Sequence, residues 1–348
     1  MKFVVEITNT TPIFSAAPGA GAITLDGQLA SAGRGFPYIR QRRMKVVKEQ
    51  EDGTLQPVAV PVVPGNTMRN LLRRTMLKHF IEPALAGEQI SIGAYAAAYA
   101  GNATGNPEGL PATFDETVLL RKHPFLGLFG GGPRFLQGRL KVDFLWPIHS
   151  DTARVLGEGY EGQMIAGHIT DTVWTRRVDP VQKMKDEDSS EAIRGGSDAV
   201  NGWVTDLLKE AQKAAKKKGT KTSQESKDGE EAVEVNVRGL NAFNAHEVVV
   251  PGVNWVWRFS VDQPTDAQVG LILAALTKMQ SERIAGGNAK DYGEFRINNI
   301  LVDGESVWTA GQMDTNNTEH YLDAFAQAID EMSASEFEQF VAGSKQGA

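Results

Sequence analysis

The chain has 348 residues, of which 41% are hydrophobic and 23% charged. This composition supplies enough apolar side chains for a sizeable core and excludes global disorder. The absence of cysteine removes disulfides, zinc ribbons, iron–sulfur ligation and thiolate nucleophiles from consideration. Because no apolar run has the length of a membrane span or signal peptide, we expect a cytoplasmic protein without a membrane partner.

The net charge of −7 is unevenly distributed along the chain. Residues 301–348 contain nine acidic side chains and one basic one, so the preceding 300 residues are slightly basic. An acidic protein is a poor partner for phosphates, but clustered bases in the larger part of the chain remove that objection.

The first segments in chain order are a strand and a basic cluster. The opening KFVVEIT alternates apolar and polar residues, which predicts a half-buried strand. Residues 27–48 contain no acid and six bases around two aromatic residues, Phe36 and Tyr38. A charged run is usually a solvated surface, but interleaved aromatics can stack on bases and favour nucleic-acid binding. The six bases are Arg34, Arg40, Arg42, Arg43, Lys45 and Lys48.

A helix is predicted next, within VVPGNTMRNLLRRTMLKHFIEP. Pro64-Gly65 ends a strand, and Asn66 or Thr67 can cap the helix that follows. Free backbone N–H groups and the positive end of the helix dipole could hold a phosphate there. The alternative is a capped surface helix with solvated arginines. We expect its basic residues to lie mainly on the exposed face, namely Arg69, Arg73, Arg74 and Lys78.

Two glycine-rich loops, at 127–138 and 285–293, each lead into a predicted strand. Glycine lets backbone approach a ligand or a neighbouring chain closely. Neither loop has the P-loop sequence or opens a dinucleotide-binding unit, so we predict no cofactor. The six histidines lack metal-ligand spacing, and we predict no metal. The glycines expected to make backbone contacts are Gly130, Gly131, Gly286 and Gly287.

The C-terminal half begins with a polar segment and returns to core-forming sequence. Residues 168–250 are charged and punctuated by glycine, a composition that is too polar to bury throughout. VNWVWRFSV then predicts a strand, and Thr265 with Gln268 forms a capping-box pattern before an apolar helix. An acidic helical tail follows.

Three segments, in this order, resemble signatures of the RAMP superfamily of CRISPR-associated proteins, specifically the backbone subunit of type III effectors. VVPGNTMRNLLRR (62–74) resembles the family's Ile-Pro-Gly-Ser-Ser-Leu-Lys/Arg-Gly-x-x-Arg motif. LFGGGPRFLQGRLKVDF (128–144) resembles its Phe-Gly…Gly-Arg-Leu segment, and RIAGGNAKDYGEF (283–295) its Gly-Gly-x-x-Arg-Gly-Tyr-Gly loop. More loosely, TRRVDPVQKM and AHEVVVPGVNWVWRF resemble the two legs of the family's thumb.

This resemblance implies an α+β, ferredoxin-like (RNA-recognition-type) palm with a large thumb-region insertion and additional helical inserts. Residues 1–167 would form the palm with the basic loop and a helical insert, 168–250 the thumb with a mobile tip, and 251–348 the rest of the palm and the acidic tail. It also implies head-to-tail multimers of the chain along a CRISPR guide RNA. The other implied partners are a cap subunit, a large or small subunit, a guide-processing nuclease, an accessory helicase and the target nucleic acid.

Departures from the family pattern bear on catalysis. Cleaving relatives carry an aspartate between the first strand and the Pro-Gly motif, where this chain reads SAGRGFPYIRQRRM and has no acid. Asp26 is the nearest substitute. Asn70 replaces a glycine and Asp291 an arginine of the family motifs. The chain therefore looks most like the type IV version of this subunit, and we predict no catalysis.

Our leading hypothesis is a non-catalytic scaffold that holds guide phosphates and leaves target choice to base pairing. The expected RNA-binding residues are Arg34, Arg40, Arg42, Arg43, Lys45, Asn66, Arg69, Arg73, Arg176 and Arg177. One alternative is a metal-dependent target-RNA nuclease using Asp26 or Asp179. Two others are a guide-processing endonuclease with a histidine base and an α+β protein that binds no nucleic acid.

Overall fold

The structure is a computed structural model that describes part of the chain. The described residues are 1–19, 21–24, 26–29, 35–50, 52–85, 87–101, 111–131, 136–178, 198, 202, 205–206, 241–286, 291–309 and 311–342. Among them, no helix is both long and apolar enough to cross a membrane.

The strands, in chain order, are β1 Lys2–Asn9, β2 Gly21–Ile23, β3 Phe36–Ile39, β4 Arg43–Glu49, β5 Leu55–Pro61, β6 Gly130–Gly131, β7 Leu136–Gln137, β8 Leu140–Pro147, β9 Thr170–Val178, β10 Asn241–Val249, β11 Asn254–Val261, β12 Phe295–Val302, β13 Glu305–Ser306, β14 Trp308–Thr309 and β15 Gln312–Met313. The α-helices are α1 Gly65–Met76, α2 Glu82–Ala84, α3 Ile92–Ala100, α4 Phe114–Lys122, α5 Leu126–Phe129, α6 Ala153–Leu156, α7 Asp266–Met279, α8 Thr315–Asp330 and α9 Ala334–Ala342. A π-helical turn, Leu77–Ile81, joins α1 to α2.

The central sheet has five strands in the order β13-β12-β1-β11-β8. Its pairs are antiparallel, and Val5 lies opposite Trp257 on one neighbour and Ile300 on the other. The four long strands occur along the chain as β1, β8, β11 and β12, with α1 after the first and α7 before the last. Their spatial order is therefore fourth, first, third, second, which is the βαββαβ arrangement of ferredoxin-like folds. The predicted α+β, ferredoxin-like class is confirmed.

The main core lies on one face of this sheet. Phe3 and Val5 of β1 and Trp257 of β11 pack there with Leu72 of α1 and Leu271 of α7. These side chains alternate along β1 and recur along the helices, as the apolar faces of a strand and a helix must. Burial of this apolar surface fixes α1 and α7 against the sheet.

Helix α8 approaches α7 very closely. At Gly270 a Cβ atom would lie 2.0 Å from the carbonyl oxygen of Tyr321, so only glycine fits. Phe325 of α8 is buried in the main core. The predicted acidic tail thus begins with a helix that belongs to the core.

The opposite face of the sheet is covered by the β4–β5 hairpin and by residues 150–165. Val46 and Val60 of the hairpin are buried against Trp146 and Val256 of the sheet. Because successive side chains of a strand point to opposite faces, this second core is separated from the main one by the sheet itself. The two layers therefore lie on opposite sides of the sheet.

The described residues divide into two compact units. The first comprises Met1–Gly19, Arg40–Asp171 and Glu247–Ala348, and the second Ala20–Ile39 and Thr172–His246. A four-stranded sheet of order β2-β3-β10-β9 forms the second, with β2–β3 antiparallel and β3–β10 parallel. The segment boundaries inferred from the sequence stay a prediction.

Candidate nucleic-acid interface

The predicted basic cluster lies at the start of the β4–β5 hairpin. Arg40 and Lys45 are exposed and Arg42 is half-buried. Arg43 is engaged within the protein: it pairs with Glu247 and donates to Thr170 Oγ1 at 3.1 Å. Arg40 and Lys45 are therefore the members of the cluster that present their charge most openly.

Helix α1 begins differently from our prediction. Its N-cap is Pro64, without a side-chain hydrogen bond, so the predicted cap by Asn66 or Thr67 is wrong. Gly65 packs against β8, because a Cβ there would lie 2.8 Å from the carbonyl oxygen of Asp143. Asn66 is exposed, and its backbone N–H has no acceptor among the described residues. The Asn66 N–H is therefore available to a ligand at this helix start.

Two arginines of α1 point into the protein rather than outwards. Arg69 donates to the carbonyl oxygen of Phe129 at 2.6 Å. Arg73 is only 5% exposed, and its guanidinium carbon lies 4.7 Å from the centre of the Phe129 ring. A Cβ at Gly101 would touch that guanidinium, so Arg73 also fills the space at the end of α3.

Burial changes the chemistry of these arginines. Burial, with a smaller effect from the charge of Arg69, lowers the pKa of Arg73 to about 10. Arg73 remains charged at neutral pH, and its cation–π contact compensates part of its lost hydration. The prediction of an exposed Arg73 is wrong, because this side chain ties α1 to α5 and to the end of α3.

A cleft of 580 Å³ opens beside α1, on the side of Arg74 rather than Arg73. It is bounded by α1 and the π-helical turn, by α3, and by the loop that follows α7. Its lining residues are Leu71, Arg74, Thr75, Lys78, Glu82, Tyr95, Tyr99, Ser281, Glu282, Arg283 and Ala285.

Two stacked tyrosines form one wall of the cleft. Tyr95 and Tyr99 are one helical turn apart on α3, with ring centres 6.0 Å apart and ring planes at 17°. They are 36% and 44% exposed. Helix α3 is held by Ser91, whose side chain caps its first turn, and by the burial of Ala94 and Ala97. The buried alanine face turns both rings towards the cleft.

The Tyr95 hydroxyl and the Arg74 guanidinium each contact a neighbouring side chain. Tyr95 donates to Glu82 Oε1 at 2.8 Å, and this hydrogen bond raises the pKa of the tyrosine. The guanidinium carbon of Arg74 lies 6.0 Å from the centre of the Tyr99 ring. Arg74 Nε donates to the carbonyl oxygen of Asn70 at 3.3 Å. Among the described residues Arg74 forms no ion pair, so its charge is available to a ligand.

The carboxylate of Glu282 neutralises part of the opposite wall. Lys78 Nζ lies 2.7 Å and His79 Nε2 3.0 Å from its Oε1 atom. Burial alone would raise the pKa of Glu282, but hydrogen bonds from Lys78 and His79 lower it below the ordinary value. Lys78 is therefore largely engaged, and Arg74 supplies the main free positive charge.

The loop after α7 brings backbone to the mouth of the cleft. Arg283 is held by Asp291 at 3.1 Å and Glu294 at 3.0 Å. Ala285 and Asp291 have positive φ angles of 67° and 57°. Gly293 also has a positive φ, and a Cβ there would lie 2.2 Å from a carbonyl oxygen. The acid that departs from the family pattern, Asp291, thus has a structural partner in Arg283.

The first glycine-rich loop is packed inside the protein. At Gly130 a Cβ would lie 2.2 Å from the carbonyl oxygen of Leu136, and at Gly131 one would lie 2.5 Å from the ring of Phe340. Both glycines therefore serve close packing of backbone and side chains. Gly286, in contrast, is exposed and donates to the carbonyl oxygen of Phe14.

The remaining predicted site residues lie in the second unit or outside the described residues. Arg34 and Gly287 lie outside the described residues, as do the side chains of Arg176 and Arg177 on β9. Asp26 is exposed and accepts hydrogen bonds from Thr24 and Gln28, which lower its pKa. Within the described ranges, no three His, Asp or Glu side chains are grouped to hold a metal ion.

The sequence reasoning missed the two tyrosines. They lie in an alanine-rich stretch that carries little apolar periodicity, so a helical insert was predicted there but its outward face was not. The sequence does contain a signal for this wall of the cleft. Ser91 can cap a helix, and two tyrosines four residues apart lie on the same face of that helix.

The first unit is thus an α+β structure of the ferredoxin-like class with a tyrosine-lined cleft on its helical side. No protein-family model matches the sequence. No curated protein matches it. Among solved structures, it is similar to a chain described as "Type IV-B CRISPR Complex", with 13% sequence identity and a TM-score of 0.49. The alignment covers 90% of this chain and 96% of that one.

Proposed function

We propose that this chain binds single-stranded RNA in the cleft beside α1, as a non-catalytic backbone subunit of a CRISPR effector complex of the type IV kind. The single observation that carries the proposal is the exposed Tyr95–Tyr99 pair with Arg74 across one ring. Stacked aromatic faces beside a free cation suit unpaired bases and their phosphates.

The positions of the three sequence signatures support the assignment to this class of subunit. The first signature supplies Leu71 and Arg74 to the cleft, and the third supplies Arg283 and Ala285. The second meets the first where Phe129 accepts the hydrogen bond from Arg69. Segments more than 200 residues apart thus converge on one site, as expected if they recognise one ligand.

Other polar groups of the first unit can add contacts along an RNA strand. The backbone N–H of Asn66 at the start of α1 can donate a hydrogen bond to a phosphate oxygen. The exposed Arg40 can add a contact that is indifferent to sequence. In this proposal the protein grips backbone and stacked bases, whereas the guide RNA itself selects the target. The cap, large or small subunits and processing nuclease remain proposed partners.

The test compares single-stranded with double-stranded RNA of the same sequence, by fluorescence anisotropy on the purified chain. We expect tighter binding of the single strand, because paired bases cannot stack on tyrosine. Replacing both tyrosines with alanine should weaken single-strand binding about tenfold or more. Phe114→Ala, which removes an 81% exposed aromatic outside the cleft, is the matched control.

Two results would contradict the proposal: equal affinity for single and double strands, or full retention of binding after Tyr95→Ala with Tyr99→Ala. The CRISPR assignment has its own test, which is sequencing of RNA that co-purifies with the chain when it is produced beside a CRISPR array. Recovered RNA should carry array-derived spacers. If bulk cellular RNA were recovered instead of spacers, the chain would be an RNA-binding protein of another class.

A further inference from the structure

The cleft beside α1 contains two carboxylates with different surroundings, those of Glu82 and Glu282. Glu282 is neutralised, because Lys78 Nζ and His79 Nε2 lie 2.7 Å and 3.0 Å from its Oε1 atom. Glu82 is exposed and forms no ion pair among the described residues. A carboxylate without a cation repels phosphates, so Glu82 favours a nucleic acid that offers it a hydrogen-bond donor.

Tyr95 holds the carboxylate of Glu82 at the rim of the tyrosine pair. The Tyr95 hydroxyl donates to Glu82 Oε1 at 2.8 Å and so joins the first residue of α2 to α3. Glu82 Oε2 accepts no hydrogen bond from the described residues. One oxygen of the carboxylate is therefore fixed by the protein, and the other is left for a ligand in the cleft.

Two hydroxyl groups of the cleft wall are already engaged inside the protein. Thr75 Oγ1 donates to the carbonyl oxygen of Leu71 at 2.9 Å. Ser281 Oγ donates to the carbonyl oxygen of Lys278 at 2.7 Å. Because Glu282 is engaged by its two bases, Glu82 Oε2 is the charged acceptor that remains open among the lining side chains described.

Single-stranded nucleic acid offers two kinds of donor to such an acceptor. The amino and imino groups differ from one base to the next, whereas a 2′-hydroxyl is present on every nucleotide of RNA and absent from DNA. A protein that holds guides of any sequence obtains a constant contact only from the hydroxyl. A nucleotide whose base stacks on Tyr95 also brings its ribose to the rim of that ring, where Glu82 is held.

We propose that Glu82 accepts a hydrogen bond from a ribose 2′-hydroxyl and thereby makes the cleft select RNA over single-stranded DNA. On RNA the carboxylate gains a charge-assisted hydrogen bond. On DNA it faces a sugar without a donor and repels the neighbouring phosphates. Arg74 attracts the phosphates of either nucleic acid and therefore adds affinity without discrimination. The inference rests on the proposed function, because it names the sugar that the same cleft recognises.

The test compares three single-stranded oligonucleotides of one uracil-containing sequence by fluorescence anisotropy on the full chain. They are RNA, the corresponding DNA with deoxyuridine, and RNA in which every 2′-hydroxyl is replaced by fluorine. The fluorine keeps the sugar pucker of RNA but has no proton to donate. Wild type should bind the RNA about tenfold more tightly than either of the other two.

Glu82→Ala should abolish this preference. Its affinities for the three oligonucleotides should agree within about twofold, and its affinity for DNA should rise because a negative charge is lost from the cleft. Glu158→Ala is the matched control, since it removes an exposed carboxylate outside the cleft and should keep the tenfold preference. Thermal unfolding of both variants checks that the fold is retained.

Two results would overturn the role of Glu82. One is a wild type that binds the fluorinated strand as tightly as RNA, a comparison that needs no variant. The other is a Glu82→Ala variant that keeps the preference for RNA. If Glu82 instead read a base amino group, wild type would prefer oligocytidine to oligouridine while treating ribose and fluorinated strands alike, which also overturns the role in sugar recognition.

Failure of the inference differs from failure of the proposed function. If all three strands bind equally and Tyr95→Ala with Tyr99→Ala weakens each of them, the cleft binds nucleic acid but does not select the sugar. The proposed function then stands without the inference. If wild type binds none of the strands, both are overturned.

Discussion

The guanidinium of Arg74 lies over the ring of Tyr99, its central carbon 6.0 Å from the ring centre, and so joins α1 to α3 across the mouth of the cleft. The neighbouring Arg73 turns the other way and stacks on Phe129. Consecutive arginines thus have different surroundings, one facing solvent and one in the core, and they should respond differently to substitution.

Arg74→Ala should weaken RNA binding and reduce its dependence on salt. Each phosphate contact releases a counterion, so removing one cation should lower the slope of log affinity against log salt by about 0.7 for a single strand. The measurement is a titration series over several salt concentrations. Arg154→Ala, an exposed arginine paired with Glu49, is the control and should leave the slope unchanged. An unchanged slope for Arg74→Ala would exclude this residue as a phosphate contact.

Arg73→Ala should chiefly destabilise the fold. It removes a buried side chain from the contact with Phe129 and leaves a cavity, which costs roughly 2–4 kcal/mol of unfolding free energy. Arg73→Met should cost less, because it keeps most of the volume and removes a buried charge. Denaturant unfolding measures both. Equal losses for alanine and methionine would indicate that the charge, rather than the packing, stabilises this position.

Gly65→Ala tests the close approach of α1 to β8. Alanine ordinarily stabilises a helix relative to glycine by about 1 kcal/mol, but a Cβ at this position would lie 2.8 Å from the backbone oxygen of Asp143. Backbone cannot move aside cheaply, so we expect a net loss of about 1–3 kcal/mol in thermal unfolding. Gly162→Ala, where no atom lies within 4 Å, is the control. A stabilised Gly65→Ala variant would contradict the packing described for this helix.

His123 should make the fold sensitive to pH. Its Nδ1 atom accepts hydrogen bonds from the N–H groups of Phe125 and Leu126, and burial lowers its pKa to about 4. An unfolded histidine has a pKa near 6.5, so the unfolded chain takes up the proton first as pH falls. The contribution of neutral His123 to the unfolding free energy is complete above about pH 6.5. It is lost as pH falls from there to about pH 4, and the loss is roughly 3 kcal/mol at most.

The His123→Asn variant isolates this effect, because the amide oxygen can accept the same N–H groups but does not titrate. Unfolding free energies of both proteins are compared from pH 7 to pH 4. The advantage of wild type over the variant should shrink steadily as pH falls. A difference that stays constant over this range would rule out the depressed pKa.

The sequence predicted those parts of the fold that depend on local pattern. The capping box of α7 is present, with Thr265 Oγ1 accepting from the Gln268 N–H and the Gln268 side chain accepting in return. Strand β1 follows the alternation of its apolar residues, since Phe3, Val5 and Ile7 are all buried. Each of these signals lies within a few residues of the chain.

The cleft could not be predicted in the same way because its walls come from distant segments. The orientation of Arg73 depends on Phe129, and the direction of the tyrosines depends on which face of α3 is buried. Helical spacing places Arg69 and Arg73 on one stripe but does not reveal what covers that stripe. The motif thus predicted the helix but, for Arg73, the wrong surroundings.

The contact at Gly270 bears on where the chain can be shortened. Residues 315–330 resemble a dispensable acidic tail in composition, yet their backbone lies against α7 at a distance that only glycine permits. Removing these residues would expose the apolar side of α7 to water. A protease that cut before Thr315 would therefore leave an unstable first unit, and cleavage at that point would promote unfolding rather than trim a tail.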